Sequence, residues 1–280
     1  MQDTTPHFRR LVAVWFVASV ILTLLVVLVL TPGMPPGNGT VQSAGQVTDD
    51  TVLLGISTPI ALGVLLCLGY SLIFFREPRG ADPALEGPAI RGNSSIQLWW
   101  LVVTTSTVLF LAAFGSVELL KDGSGGGQGP SPLSKPAGAA HALQVQVIAQ
   151  QWEFDYRYPG YGGVETHFLE IPAHTTVEFH VTSLDVIHSF WAYQLGVKAD
   201  ANPGEDNIAY VQTLNPMNFE VHCAELCGVW HGYMYDAGKV VPKTQFASWI
   251  ASERKNFQPI SKSLTPYSKT YFPGPQRRGG

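Results

Sequence analysis

The chain has 280 residues, of which 46% are hydrophobic and only 14% are charged, and its formal net charge is −4. Soluble domains average about 25% charged residues, so this composition argues against a wholly soluble protein and indicates membrane-spanning segments. No nucleic-acid partner is predicted.

Three apolar stretches are each long enough to cross a membrane. They cover residues 11–30, 51–75 and 96–120, and Glu118 is the single charged residue within them. A helix that spans the hydrocarbon core needs about 20 residues. We therefore predict three transmembrane helices, of which the second and third form a hairpin over residues 51–120.

The first apolar stretch has two interpretations. Its apolar core is longer than the roughly 7–15 residues typical of a signal peptide, and no convincing cleavage site of small residues follows it. We favour a retained helix within an N-terminal segment of residues 1–50. A cleaved signal peptide stays open as the alternative and would leave the orientation of the rest unchanged.

Basic residues orient the predicted helices. Arg9 and Arg10 precede the first helix and three arginines lie between the second and third, whereas residues 31–50 contain no Lys or Arg. Because cytoplasmic loops carry an excess of Lys and Arg, the N-terminus and the second loop are predicted to be cytoplasmic. The chain after Leu120 then lies on the outer, periplasmic face of a cell membrane that it crosses several times.

A linker and an outer β-domain follow the helices. Residues 121–140 are rich in Gly, Ser and Pro, as in linkers. Apolar and polar residues then alternate over residues 143–147 and 177–182, which predicts half-buried strands. Short strands separated by turn signals indicate that residues 141–257 form a small β-sandwich or barrel.

The C-terminal part of that domain contains a predicted helix. Phe246, Trp249 and Ile250 fall on one face of a helix over residues 243–257, which we expect to dock on the domain. The basic tail, residues 258–280, is predicted to be irregular.

Residues 223–234, in the later part of the β-domain, contain several side chains that can bind metals. Cys223, Cys227, His231 and Met234 lie within twelve positions of one another. Thiolate and thioether are soft ligands that select copper, and imidazole also suits copper. Two thiolates four residues apart can bridge two metal ions. A Cys2His2 zinc site, which gives no reason for Met234, and a disulfide in an oxidising compartment stay open as alternatives.

This segment resembles the copper-A loop of cytochrome c oxidase subunit II. Every position of the family pattern C-x-E-x-C-x3-H-x2-M is filled, and Asp185-Val186-Ile187-His188-Ser189 is similar to the family's upstream histidine segment. The aromatic strand at Gln151-Trp152 is a third similarity. The resemblance covers roughly residues 52–256. It implies a membrane-anchored α+β protein whose transmembrane helices precede a cupredoxin-like Greek-key β-barrel.

The resemblance also implies a binuclear copper centre, copper-A. Its predicted ligands are Cys223 and Cys227 as bridges, His188 and His231 as one cap each, and Met234 and the Glu225 carbonyl as weak ligands. The Glu225 side chain would hold a Mg or Mn ion at the interface with subunit I. Trp152 would take up electrons from cytochrome c.

Charge suggests how such a donor docks. Residues 141–237 contain twelve acids and two bases, and an acidic face attracts a basic partner. Glu153, Asp155 and Asp185 adjoin Trp152 or His188 and are the predicted docking residues.

The remaining histidines of the outer domain are not predicted to bind metal. His167, His174 and His180 are expected to be exposed. His222 is expected to point away from the metals, because neighbours on a strand face opposite sides.

The implied function is that of subunit II of a haem–copper oxygen reductase, which passes electrons from cytochrome c to haem in subunit I, alongside further oxidase subunits. Where many relatives carry a proton-channel Glu, this chain has Gln97, which cannot titrate, so no proton-uptake role is assigned. The copper-A subunit of a nitric oxide reductase stays open. So does a membrane-anchored copper-delivery protein, although such proteins typically have Pro where this chain has Gly228.

Overall fold

The computed structural model describes residues 5–76, 92–121, 127 and 129–256. The predicted basic tail, Phe257, and the loop arginines Arg79 and Arg91 lie outside the described residues. The described chain divides into two compact units.

The first unit, residues 1–33 and 49–116, holds the apolar helices. The helices are α1 (Thr5–Leu25), which continues as a π-helical turn through Leu30, α2 (Val41–Phe74) and α3 (Ser94–Lys121). All three are long and apolar enough to cross a membrane. Helix α2 begins ten residues before its predicted apolar stretch, because its first turns are polar and carry no hydropathy signal.

Specific side-chain contacts join α1 to α2 within this unit. The Trp15 indole donates a hydrogen bond to the carbonyl oxygen of Pro59, at 2.8 Å. His7 Nδ1 lies 2.8 Å from the hydroxyl of Tyr70. A Cβ atom on Gly63 would be 3.1 Å from the Trp15 indole nitrogen, so the absence of a side chain there lets the tryptophan lie against α2.

The second unit, residues 34–48 and 117–280, is a two-sheet β-sandwich in its described part. Its strands are β1 (Leu143–Gln150), β2 (Glu153–Tyr158), β3 (Val164–Thr166), β4 (Leu169–Pro172), β5 (Thr176–Ser183), β6 (His188–Ala192), β7 (Val197–Ala201), β8 (Asn207–Gln212), β9 (Met217–Cys223) and β10 (Tyr235–Val241). One sheet has the order β3-β2-β1-β5-β8 and the other β4-β10-β9-β6-β7. Pairs β1–β5 and β4–β10 are parallel. This arrangement agrees with the cupredoxin-like fold that the sequence predicts.

Aromatic side chains fill the space between the two sheets. Phe179 and Phe190 are fully buried, with ring centroids 5.2 Å apart, and Phe154 packs edge-on against Phe190. Each such side chain contributes roughly 1.5–3 kcal/mol when it leaves water. This packed core fixes the ends of the strands that carry the candidate site.

The C-terminal helix α4 (Lys243–Asn256) docks on the sandwich as the apolar spacing predicts. Phe246 and Ile250 are each 3% exposed, and the rings of Trp249 and Tyr158 lie edge to face with centroids 5.6 Å apart.

The start of α2 is built into the β-sandwich unit. Thr40 and Ser43 form a reciprocal cap, in which each side-chain oxygen accepts the backbone N–H of the other residue at 2.9 Å. Buried Gln42 accepts a hydrogen bond from the backbone N–H of Gln212 at 2.7 Å. The φ angle of Gly196 is +69°, and a Cβ there would lie 2.6 Å from the Ser43 nitrogen. Glycine is therefore needed where this turn meets the helix.

One prediction about exposure is wrong. His167 and His174 are exposed, but His180 is buried, with 6% of its surface accessible. Its two ring nitrogens lie 2.8 Å from Asp206 and 3.0 Å from Glu178. The alternating pattern correctly places His180 on the outward face of β5, but the sequence carries no sign of the carboxylates that enclose it.

Candidate metal centre

The candidate site lies at one end of the second sheet. Strand β6 begins at His188 and β9 ends at Cys223, and the two strands pair so that Phe190 lies opposite Cys223. The loop between β9 and β10 carries the other candidate ligands. Because strand pairing fixes both ends of this loop, the ligands are held in place before any metal binds.

The two cysteine thiols lie side by side. Their Sγ atoms are 3.7 Å apart, both cysteines are unoxidised, and they are 8% and 3% exposed. With His188 they form a group of ligand atoms that all lie within 4.8 Å of one another, which is able to hold a metal ion. Burial and the neighbouring Cys223 thiol raise the pKa of Cys227 to about 12. Copper or zinc bound here has to displace a proton from each thiol.

The other predicted ligands surround the sulfur pair. His188 Nδ1 lies 3.1 Å from Met234 Sδ, and His231 Nδ1 lies 3.5 Å from Cys227 Sγ. The carbonyl oxygen of Glu225 is 3.2 Å from Cys223 Sγ. The fold thus brings together all six donor groups that the sequence predicts.

The chemistry of this donor set fits copper. Two thiols, two imidazole nitrogens and one thioether sulfur converge, and these are the ligand types that copper prefers. A tetrahedral zinc site would use the thiols and imidazoles alone. It would leave no role for Met234 Sδ, which lies only 3.8 Å from Cys227 Sγ.

Asp185 supports the imidazole of His188. Its Oδ1 accepts a hydrogen bond from His188 Nε2 at 2.9 Å, which leaves Nδ1 directed at the sulfur atoms. Such an outer carboxylate fixes the ring orientation and raises the basicity of a metal-binding histidine. Partial burial opposes the charge on Asp185, but hydrogen bonds from His188 and from the backbone N–H groups of Gln151 and Val186 lower its pKa.

Trp152 lies directly beside the sulfur pair. Its indole nitrogen is 3.3 Å from the carbonyl oxygen of Cys227, and the ring is half-buried against the core. The neighbouring Gln151 donates its side-chain amide to the same carbonyl at 2.8 Å. A Cβ on Gly228 would lie 3.0 Å from the Gln151 amide nitrogen and 3.2 Å from the Trp152 ring. The glycine after Cys227 therefore leaves room for both side chains.

An acidic cluster borders Trp152 on strands β2 and β10. Exposed Glu153 and half-buried Asp155 are two of the predicted docking residues. Asp236, which was not predicted, extends this cluster, and its carboxylate accepts a hydrogen bond from the Tyr156 hydroxyl at 3.0 Å. Burial, together with the negative charges of Asp155 and Glu153, raises the pKa of Asp236 to about 6, against the hydrogen bond from Tyr156, which lowers it. No local pattern could link residues 80 positions apart.

Two further residues with predicted orientations are Glu225, in the loop between β9 and β10, and His222, on β9. The Glu225 side chain is exposed, while its carbonyl faces Cys223. His222 turns away from the sulfur atoms, as expected, and its Nε2 lies 3.2 Å from Glu220.

Comparison with known proteins gives one consistent result. The family model described as cytochrome c oxidase subunit II, periplasmic domain, matches residues 164–241, which contain His188 and the whole of the 223–234 segment but not Trp152. A probable cytochrome c oxidase subunit 2 of Rickettsia conorii is 31% identical over 72% of this chain and 66% of that protein. The chain thus spans a little under two thirds of the length of that relative. Cytochrome c oxidase subunit 2 of Cereibacter sphaeroides is 27% identical over 82% of this chain and 84% of that protein.

A solved structure is also similar. The periplasmic domain of subunit II of cytochrome oxidase from Bradyrhizobium japonicum is 31% identical, covers 41% of this chain and 95% of that structure, and superposes with a TM-score of 0.40.

Proposed function

Because the chain belongs to the cytochrome c oxidase subunit II family, we propose that it is the electron-input subunit of a haem–copper terminal oxidase. The observation that carries this proposal is the sulfur pair, with Sγ atoms 3.7 Å apart beside His188 Nδ1, His231 Nδ1 and Met234 Sδ. A structural Cys2His2 metal site would use the two thiols and the two imidazoles but would give no role to the thioether. A binuclear copper site for electron transfer would use the sulfur pair and the thioether together.

The residues that would hold the copper pair are already in position. Cys223 and Cys227 would hold the two copper ions together with His188 and His231, and Met234 and the Glu225 carbonyl would serve as weak ligands. Such a pair supplies one-electron redox chemistry with little ligand movement. This chain holds the donors on paired strands and excludes water by burying both thiols. The exposed Glu225 carboxylate is the proposed ligand for Mg or Mn at the contact with subunit I.

Electron input is assigned to Trp152. Its indole approaches the backbone of a bridging cysteine at 3.3 Å, while part of the ring faces solvent. The carboxylates of Glu153 and Asp155 beside it would draw a basic cytochrome c to this face, since complementary charge speeds association. Asp236 extends the same acidic cluster and belongs with the proposed docking residues.

The proposed location is a cell membrane, with the copper domain on the periplasmic side. Arg9 and Arg10, which lie in α1 ahead of its apolar stretch, and the arginines after α2 favour this orientation. The hydrogen bond from Trp15 to Pro59 supports a retained first helix, because a cleaved signal peptide has no need for specific packing against α2. Three membrane spans are therefore proposed.

The test is purification of the chain with its native partners. We expect two copper ions per chain, an electron-spin spectrum coupled to both copper nuclei, haem in the co-purified subunit, and oxygen consumption driven by reduced cytochrome c. Consumption of nitric oxide instead of oxygen would assign the chain to a nitric oxide reductase. A single exchangeable copper(I) would indicate copper delivery and would overturn the proposal.

A further inference from the structure

Four residues next to the metal centre form a continuous chain of hydrogen bonds. The Gln151 side chain donates to the carbonyl oxygen of Cys227 at 2.8 Å, and the Gln151 backbone N–H donates to Asp185 Oδ2 at 2.8 Å. Asp185 Oδ1 then accepts from His188 Nε2 at 2.9 Å. The chain therefore links the two proposed metal ligands Cys227 and His188 through the residue immediately before Trp152.

Asp185 is itself held firmly in this arrangement. Its Oδ1 also accepts the backbone N–H of Val186 at 2.7 Å and the hydroxyl of Ser183 at 3.2 Å. The backbone N–H of Leu184 donates to the carbonyl of Ala149 on β1, at 3.0 Å. The loop before His188 is thus bonded both to the end of β1, through Leu184, and to Gln151, through the Asp185 carboxylate.

The side chain of Gln151 also lies close against Gly228. Gly228 has a φ angle of +121°, and a Cβ there would meet the Gln151 amide nitrogen at 3.0 Å. The amide of Gln151 and the indole of Trp152 share one acceptor, the Cys227 carbonyl. Any displacement of Gln151 would therefore move the indole relative to the sulfur pair.

We infer that Gln151 and Asp185 are positioning residues, which hold the electron-input tryptophan against the metal centre. The inference rests on the proposed function and deepens it. Neither residue accepts or donates electrons: Gln151 fixes the indole against the Cys227 carbonyl, and Asp185 fixes Gln151 and the His188 ring together. The main contribution of Asp185 is then internal, because both its oxygens already accept hydrogen bonds within the chain.

Two near-isosteric variants test the inference in the complete oxidase complex. Gln151→Leu removes the amide donor and keeps the size of the side chain, and Asp185→Asn removes the carboxylate charge. Gln144→Leu, the same substitution at an exposed position on β1, is the matched control. The measured quantities are the rate of electron transfer from bound cytochrome c at low ionic strength and the cytochrome c concentration that gives half-saturation.

For Gln151→Leu we expect the transfer rate within the bound complex to fall about tenfold, since a misplacement of about 1 Å at a reacting contact can cost up to about 10²-fold. Copper content and half-saturation should match the control. For Asp185→Asn we expect the same slowing, together with a copper affinity about 10–100-fold weaker through His188. Asp185→Asn that only raises the half-saturation concentration would overturn the positioning role in favour of docking.

A second readout separates this inference from the proposed function. In the copper-free full-length chain, labelled at the tryptophan indoles, the Trp152 N–H should exchange with solvent at least about tenfold faster in Gln151→Leu than in the control. Exchange and transfer rates that both match the control would overturn the inference. A wild-type complex that takes no electrons from cytochrome c would instead remove the proposed function, and the indole measurement would still decide whether Gln151 positions Trp152.

Discussion

Cys223 Sγ lies 3.7 Å from Cys227 Sγ, buried in a β-sandwich, and the two cysteines form no disulfide. In the metal-free chain, burial and the neighbouring thiol raise the pKa of Cys227 and so disfavour its thiolate. The arrangement becomes favourable when both thiolates share cations. The sulfur pair is therefore the feature from which the metal chemistry follows.

Substitution of either bridging cysteine should abolish the coupled copper pair. Cys223→Ser and Cys227→Ser each replace a soft thiolate by a hydroxyl that binds copper poorly. We expect the electron-spin spectrum to lose its coupling to two copper nuclei, with at most one copper ion per chain. Cys67→Ser, in α2, is the control and should leave spectrum and copper content unchanged. A two-copper spectrum in Cys223→Ser would contradict the bridging assignment.

Replacement of Trp152 should slow electron input without loss of metal. Trp152→Phe removes the indole N–H that donates to the Cys227 carbonyl and leaves a smaller ring at the contact. We expect the rate of copper reduction by cytochrome c to fall at least about tenfold, with copper content intact. The comparison is Trp191→Phe, at a surface tryptophan on β6 that is 43% exposed. Equal rates in the two variants would exclude Trp152 from the electron path.

The candidate metal ligands could be predicted from the sequence because most of them are close in sequence. Cys223, Cys227, His231 and Met234 lie in one loop, and their chemistry alone indicates copper. His188 was assigned only through a family resemblance, since no spacing rule links it to a loop 35 residues away. The fold makes the connection through the antiparallel pairing of β6 with β9.

The supporting contacts were not predictable from the sequence. Gln151 and Asp185 meet through a backbone N–H, and Asp236 reaches Tyr156 across two sheets. Residues 34–48 carry no apolar periodicity, yet they belong to the same compact unit as the sandwich. Such contacts depend on which loops the folded chain brings together, and this information is absent from local composition.

Residues 39–46 form hydrogen bonds with the β-sandwich, and these predict that the stability of the outer domain depends on Gln42. Gln42→Leu removes the buried acceptor of the Gln212 backbone N–H, and this part-buried donor then loses its bond. A buried donor that loses its partner costs about 1–3 kcal/mol, so the free energy of unfolding should fall by that amount. The measurement is urea unfolding of the full chain in detergent. Gln46→Leu, at an exposed bond to Gly196, should change stability by less than about 0.5 kcal/mol. Equal effects at the two positions would contradict the buried role of Gln42.

His180 should make the stability of the outer domain depend on pH. Burial opposes its charge, but Asp206 and Glu178 outweigh burial and raise the pKa of His180. Both ring nitrogens face carboxylates, so the folded state favours the doubly protonated ring. Gln146 on β1 and Tyr210 on β8 are the nearest polar neighbours on the adjoining strands, and burial with Glu178 raises the pKa of Tyr210 to about 12, so that it stays neutral.

The raised pKa of His180 determines how stability changes with pH. A histidine whose pKa is higher in the folded than in the unfolded state stabilises fully below the unfolded value of about 6.5, and this contribution is lost as pH rises through the folded value. His180→Gln should therefore lower the free energy of unfolding by about 2 kcal/mol at pH 5.5 and by progressively less above about pH 7. The measurement is the free energy of unfolding as a function of pH. His141→Gln, at an exposed position, is the control and should leave this free energy unchanged at both low and high pH. A destabilisation by His180→Gln that is the same at pH 5.5 and pH 9 would show that packing, and not the ionised ring between Glu178 and Asp206, accounts for the contribution of His180.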